Sequence, residues 1–212
     1  MGSFMFDDLV KFFVVFLVVV EPLSLLPVLA GLTQGASDAH RRRMATKAVA
    51  VAAIVCLVFA TAGTRLIELL GISVEAFKVG GGVLLFLLAI EMVFARPSGV
   101  RTTTPGEEAE AHGREDISVF PLAFPLIAGP GALATILLAF AGVPVGSTQF
   151  FAQLLVILLV LALTLALALA TGPVMRVIGV TGGAVLSRLL GVLLAALAAQ
   201  FILDGIRGAL LV

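Results

Sequence analysis

ISVFPLAFPLIAGPGALATILLAFAGVPVGSTQFFAQLLVILLVLALTLALALATGPVM, residues 117–175, runs for 59 residues without one Asp, Glu, Lys or Arg. A helix needs about 20 predominantly apolar residues to cross the hydrocarbon core of a bilayer. This stretch therefore has room for two membrane-spanning helices. The rest of the chain agrees with it: of 212 residues 61% are hydrophobic and only 12% charged, with a mean hydropathy of +1.22. Soluble domains carry about 45–50% apolar and 25% charged residues, so a water-soluble single domain is excluded.

Charge-poor runs separated by breakers continue the pattern in both directions. They predict six spans, at about Leu9–Leu32, Ala45–Gly63, Phe77–Ala95, Ile117–Val143, Phe150–Thr171 and Leu186–Leu210. The runs are apolar all round, whereas a transmembrane barrel strand alternates apolar and polar residues over about 10 positions. An all-α integral membrane protein follows. The N-terminal run is longer than the roughly 7–15-residue core of a signal peptide and ends in no small-residue cleavage site, so it is read as a retained first span. Arg96–Asp116 is the one long polar connection, rich in Thr, Glu, Gly and Pro, and is expected to be a mobile loop. It divides the chain into 1–95, 96–116 and 117–212.

Thirteen Lys and Arg balance thirteen Asp and Glu, which gives no basic surface for nucleic acid. The bilayer itself and a small-molecule substrate are the expected partners, with room left for a homo-oligomer. Cys56 stands alone, so there is no disulfide framework and no cysteine metal site. His40 and His112 lack metal-ligand spacing. No hydrolase or metalloprotease motif occurs, and neither enzymatic activity nor a cofactor is expected. The loops after spans one, three and five hold nine of the thirteen basic residues, among them Arg41, Arg42, Arg43 and Lys47. By the positive-inside rule these loops face the cytoplasm and both termini face outward.

An internal repeat is the most informative feature. Gly71-Ile72-Ser73 returns as Gly179-Val180-Thr181 at an offset of 108, and Gly82-Val83-Leu84-Leu85 as Gly191-Val192-Leu193-Leu194 at 109. Glu21-Pro22 falls opposite Gly129-Pro130, again at 108. Each half holds three spans, an odd number, so a duplicated second half lies upside down relative to the first. Inverted repeats of this kind recur in secondary transporters, with the binding site near mid-membrane where the halves meet.

The repeated landmarks also mark where helices should break. Pro22 and Pro27 in span one, and Pro121, Pro125 and Pro130 in span four, each remove a backbone donor and crowd the preceding turn. Broken helices one and four are expected, with Pro22 and Pro130 opening new half-helices whose N–H groups suit an anion such as a substrate carboxylate. The candidate substrate site is Glu21, Pro22, Ser24 and Leu25 with Gly129, Pro130, Gly131 and Ala132. A carboxylate at the bilayer centre costs at least about 2.5–3.5 kcal/mol, so Glu21 is also the candidate for ion coupling, to sodium or a proton. The plainer reading is a Glu21 that only caps the second half-helix. Glu91 lies late in span three and is expected to snorkel toward a loop. Asp204 and Arg207 read as an exposed helical ion pair, and Gly80-Gly81-Gly82 as small residues for close helix packing.

The segment Pro121-Leu122-Ala123-Phe124-Pro125-Leu126-Ile127-Ala128-Gly129-Pro130-Gly131-Ala132 resembles the MarC family of six-span membrane proteins. So do Arg188-Leu189-Leu190-Gly191 with Gln200-Phe201-Ile202-Leu203-Asp204-Gly205, and Gly71-Ile72-Ser73 leading to Gly81-Gly82. At the first break the family pattern reads Asp or Asn, Pro, any, Gly, Asn, any, Pro. Here Glu21, Ser24 and Leu25 stand at its first, fourth and fifth positions. The resemblance implies a transporter of small neutral amino acids, of the glycine and alanine type, in the cytoplasmic (inner) membrane. The alternatives are a membrane accessory protein that binds a protein or lipid partner, for which the polar loop would serve, and a channel, which would call for rings of charge or carbonyls.

Overall fold

The computed structural model describes residues 2–95 and 116–210, so the connection expected as a mobile loop lies outside the described residues except for Asp116. The described residues form α1 (Gly2–Val20), α2 (Pro22–Leu32), α3 (Asp38–Leu69), α4 (Val74–Phe94), a proline segment (Ser118–Ile127), α5 (Pro130–Phe140), α6 (Thr148–Leu169) and α7 (Thr171–Leu210). No strand occurs among them. Five spans are long and apolar enough to cross a membrane, at Phe6–Leu32, Asp38–Leu69, Val74–Phe94, Thr148–Leu169 and Thr181–Leu210. The proline segment and α5, bent by 53° at their junction, make the sixth. Span two runs past both expected ends, because charged turns at Asp38–Arg43 and Arg65–Glu68 remain helical outside the apolar stretch.

Local chemistry sets the helix starts. Ser37, Ser73 and Ser147 each accept a backbone N–H three residues on, from His40 (3.2 Å), Ala76 (3.1 Å) and Phe150 (3.1 Å), satisfying one orphan donor of the first turn. The proline segment cannot be an ordinary helix. Residues ahead of proline are pushed out of the helical region, and Phe120 (φ −129°, ψ 127°) and Phe124 (φ −132°, ψ 130°) are extended. The remaining donors reach one residue further back than in an α-helix, Leu122 N to Ile117 O (3.3 Å) and Ala128 N to Ala123 O (2.8 Å).

Helices α4 and α7 make the most extensive pairing in the molecule. Glycine lets their backbones touch: a Cβ on Gly82 would lie 3.0 Å from the Ala198 carbonyl, and one on Gly191 would lie 3.2 Å from the Ala89 carbonyl. Gly82 and Gly191 are 109 apart in sequence, and so are Ala89 and Ala198. The contact is therefore reciprocal, each half presenting to the other the groove it receives. It is also antiparallel, since the partner's number falls as the residue number rises. A two-fold axis perpendicular to both helices produces that register, whereas an axis running along them would leave them parallel. Other landmarks recur at an offset of 108. Helices α2 and α5 are both 11 residues long and open on proline, and Gly71 (φ 69°) and Gly179 (φ 65°) share the left-handed backbone that a Cβ disfavours. Gly81 meets Leu138 of α5, so Gly81 and Gly82 serve close packing as expected, whereas a Cβ on Gly80 would meet nothing within 4 Å.

At the opposite end from the proline segment, Phe12, Phe140 and Phe150 join α1, α5 and α6 through edge-to-face contacts, with ring centroids 6.2 and 5.4 Å apart. Asp204 accepts a hydrogen bond from Gln200 at 2.7 Å, not the expected ion pair with Arg207, because i and i+4 also share a helix face. An unforeseen ion pair joins Lys47 of α3 to Asp116 at the entry to the proline segment. The Lys47 ammonium, then the hydroxyl and backbone N–H of Ser118, hold the Asp116 carboxyl well below the usual carboxylate range. The pair's contribution is present at neutral pH, above the unfolded carboxylate's own value, and is lost as pH falls through the lowered folded value. Both side chains are half-exposed, so Asp116→Asn should lower stability in detergent at pH 7 by only about 0.2–1 kcal/mol. Denaturation curves of parent and variant should converge in strong acid or high salt.

Candidate functional site: a cavity at the break in span one

Span one is interrupted at one residue. Glu21, 15 positions after Phe6 and 11 before Leu32, takes the left-handed conformation (φ 48°, ψ 63°) between α1 and α2. Pro22 follows as the first residue of α2, where its missing N–H is no loss. The chain nonetheless stays hydrogen-bonded across the break, with Glu21 N on Leu17 O (2.9 Å) and Ser24 N on Glu21 O (3.1 Å). The side chain of Glu21 does not cap α2. That geometry speaks against the plain capping role and leaves a buried carboxylate, 5% exposed, at mid-span.

Beside it lies a cavity of about 350 Å³, large enough for an amino acid and bounded by α2, the last turns of α4 and the first half of α7. Glu21, Ser24 and Leu25 line it. Glu91 lines it too. Burial turns Glu91 into the protein (9% exposed) rather than outward, which corrects the expectation of a snorkelling side chain. Its depth near the end of α4 was readable from sequence, but the direction in which it points was not. Ser187 of α7 adds a hydroxyl, and among the described residues no Lys or Arg borders the cavity. With two carboxylates, two hydroxyls and otherwise apolar walls, the cavity suits a proton, a metal cation or an ammonium group on a small apolar body.

Strained backbone gathers at the same place. Glu21 and Ala95 (φ 52°) are the positive-φ residues other than glycine among those described, and both border the cavity, as does Gly179 where α7 bends. Left-handed non-glycine residues cost of order 1–3 kcal/mol and collect at functional sites.

The second break sits elsewhere. Gly129, Pro130, Gly131 and Ala132 surround a separate void of about 10 Å³, room for one water at most. Pro22 is buried at the start of α2 and borders neither space. Leu88 and Leu126 belong to both walls, so these two side chains stand between the acidic cavity and the N-terminus of α5. The predicted residues are thus split between two neighbouring spaces that share an apolar partition.

The sequence model described as "MarC family integral membrane protein" matches residues 6–210. The chain is similar to a UPF0056 membrane protein of Aquifex aeolicus, 33% identical over 95% of this chain and 93% of that one. It is also similar to the UPF0056 inner membrane protein YhgN of Escherichia coli K12, 32% identical over 95% and 97%. A third relative is the UPF0056 membrane protein YvbG of Bacillus subtilis, 32% identical over 96% of each chain. No solved structure matches the chain.

Proposed function

We propose, because the chain belongs to the MarC family of integral membrane proteins, that it is a secondary transporter of small neutral amino acids such as glycine and alanine, coupled to a proton or sodium gradient. The observation that carries this reading is the cavity: two buried carboxylates, Glu21 at the mid-span break and Glu91 near the end of α4, where a small solute fits. The ammonium group of an amino acid would meet Glu21 and Glu91. Its carboxylate would lie toward the N-terminus of α5, once Leu88 and Leu126 part, where backbone N–H groups and the helix dipole favour negative charge. The reciprocal α4–α7 contact supports an inverted duplication, the plan on which many secondary transporters are built. The excess of Lys and Arg in the loops after spans one, three and five supports a cavity that faces the cytoplasm and termini that face outside. The relative from Escherichia coli, named an inner membrane protein, favours the same membrane here.

Uptake of labelled glycine and alanine into proteoliposomes, with and without sodium and pH gradients, tests this directly. Accumulation under one gradient is expected, and none under either would leave the accessory-protein alternative. Glu91→Gln should weaken apparent affinity about tenfold or more, because a charge-assisted hydrogen bond worth roughly 1.5–3 kcal/mol is exchanged for a neutral one. Unchanged affinity would remove Glu91 from the site.

A further inference from the structure

The two halves follow one plan but occupy different states. Pro27 and Val28 of α2 are exposed beside the cavity, whereas their counterparts 108 residues on, Thr135 and Ile136 of α5, are 2% and 0% exposed. What covers α5 is specific. Gly63 and Gly81 admit Leu137 and Leu138 in close contact. At the far end of α7 the closure is tighter: a Cβ on Gly205 would lie 2.7 Å from the Glu75 carbonyl, and one on Gly208 would lie 2.9 Å from Glu75 Cγ. Gly183, the residue 108 positions after Glu75, borders the open cavity, and the counterparts of Gly205 and Gly208 lie outside the described residues.

We infer that the chain holds a second cavity, closed in this structure, which is the two-fold mate of the open one and gives the same solute access from the opposite face of the membrane. It lies between α5, the α3–α4 junction at Gly71 and the last half of α7, with Ala132, Thr135, Leu197, Gln200 and Glu75 as its walls. This rests on the duplication that also supports the transporter reading. Successive spans alternate direction, so α2 and the end of α4 lie toward one face, and α5 and the end of α7 toward the other. The Gly82–Gly191 seam is the natural fulcrum, because a contact that is reciprocal between the two halves keeps its geometry when they exchange states. Rocking there would part Glu75 from Gly205 and Gly208, which meet in the present state, and opening one cavity would close the other. The counterparts of Glu21 and Glu91 are Gly129 and Gln200, so the second cavity has no carboxylate at their positions.

Thiol labelling in proteoliposomes, in a Cys56→Ser background and with neither substrate nor gradient, tests the inference. Val28→Cys should react with a membrane-impermeant maleimide from one face, and Thr135→Cys slowly from the other. A minor state of such a pair is populated at about 0.1–10%, which leaves room for a large increase. Gly205→Ala, whose methyl group forces the end of α7 off the Glu75 backbone, should speed labelling of Thr135→Cys roughly tenfold and slow that of Val28→Cys. Gly208→Ala meets only the Glu75 side chain and should move both rates the same way by less. Rates that rise together, or that stay constant in both variants, would overturn the second cavity. Reciprocal rates without amino acid flux would keep it and defeat the transport reading, and flux without reciprocal rates would do the reverse.

Discussion

Proteoliposomes carrying Glu21→Gln should lose gradient-driven accumulation of glycine or alanine, by tenfold or more, while still binding the solute, though more weakly, through Glu91. An amide mimics the neutral acid but neither releases a proton nor matches a carboxylate as a ligand for a hard cation. The gradient that loses its effect names the coupling ion. If the proton is carried here, dependence on pH disappears and binding persists. If sodium is held here, the sodium effect on binding disappears instead. Full coupling to both gradients in the variant would show that Glu21 has no part in coupling. Glu21→Gly separates chemistry from strain: glycine adopts φ 48° without penalty, so the variant should be at least as stable as the parent, by about 1 kcal/mol, and equally uncoupled. A coupled Glu21→Gly protein would mean that the break matters and the carboxylate does not.

Gly129→Ala should be the most damaging single methyl group in the chain. Its Cβ would lie 2.2 Å from the carbonyl oxygen of Pro125 and 3.3 Å from the carbonyl carbon, and neither atom belongs to a side chain that can turn away. The backbone angles at Gly129 (φ −74°, ψ 175°) would themselves accept alanine, so the penalty is purely one of space. Overpacking of this kind costs about 1–3 kcal/mol, and the upper end is expected where backbone must yield. Gly131→Ala is the control. Its Cβ would meet the ends of Leu88 (3.0 Å) and Val19 (3.2 Å), which can shift, so it should cost about 1 kcal/mol. Thermal unfolding in detergent reads both, and equal midpoints for the two variants would refute the close approach of Gly129 to Pro125.

Membership of a membrane class, the six spans and the positions of the breaks were all legible in the sequence, because each depends on a property of the chain itself. Twenty apolar residues exclude water wherever they lie, and a proline removes its donor whatever surrounds it. Gly82 and Gly191, 109 residues apart, likewise marked the surface on which α4 and α7 pack. What the sequence could not say is which way a side chain turns on a helix that is apolar all round. Such a helix has no polar stripe to fix its rotation, so the helices packed against it choose. That is why Glu91 points into the cavity rather than away from it, why Leu88 and Leu126 part the two breaks, and why Lys47 meets Asp116 across 69 residues of chain. Tertiary packing alone also decided that α2 stands exposed beside a cavity while α5 is covered, since Leu137 and Leu138 reach Gly63 and Gly81 only across residues far apart in the chain.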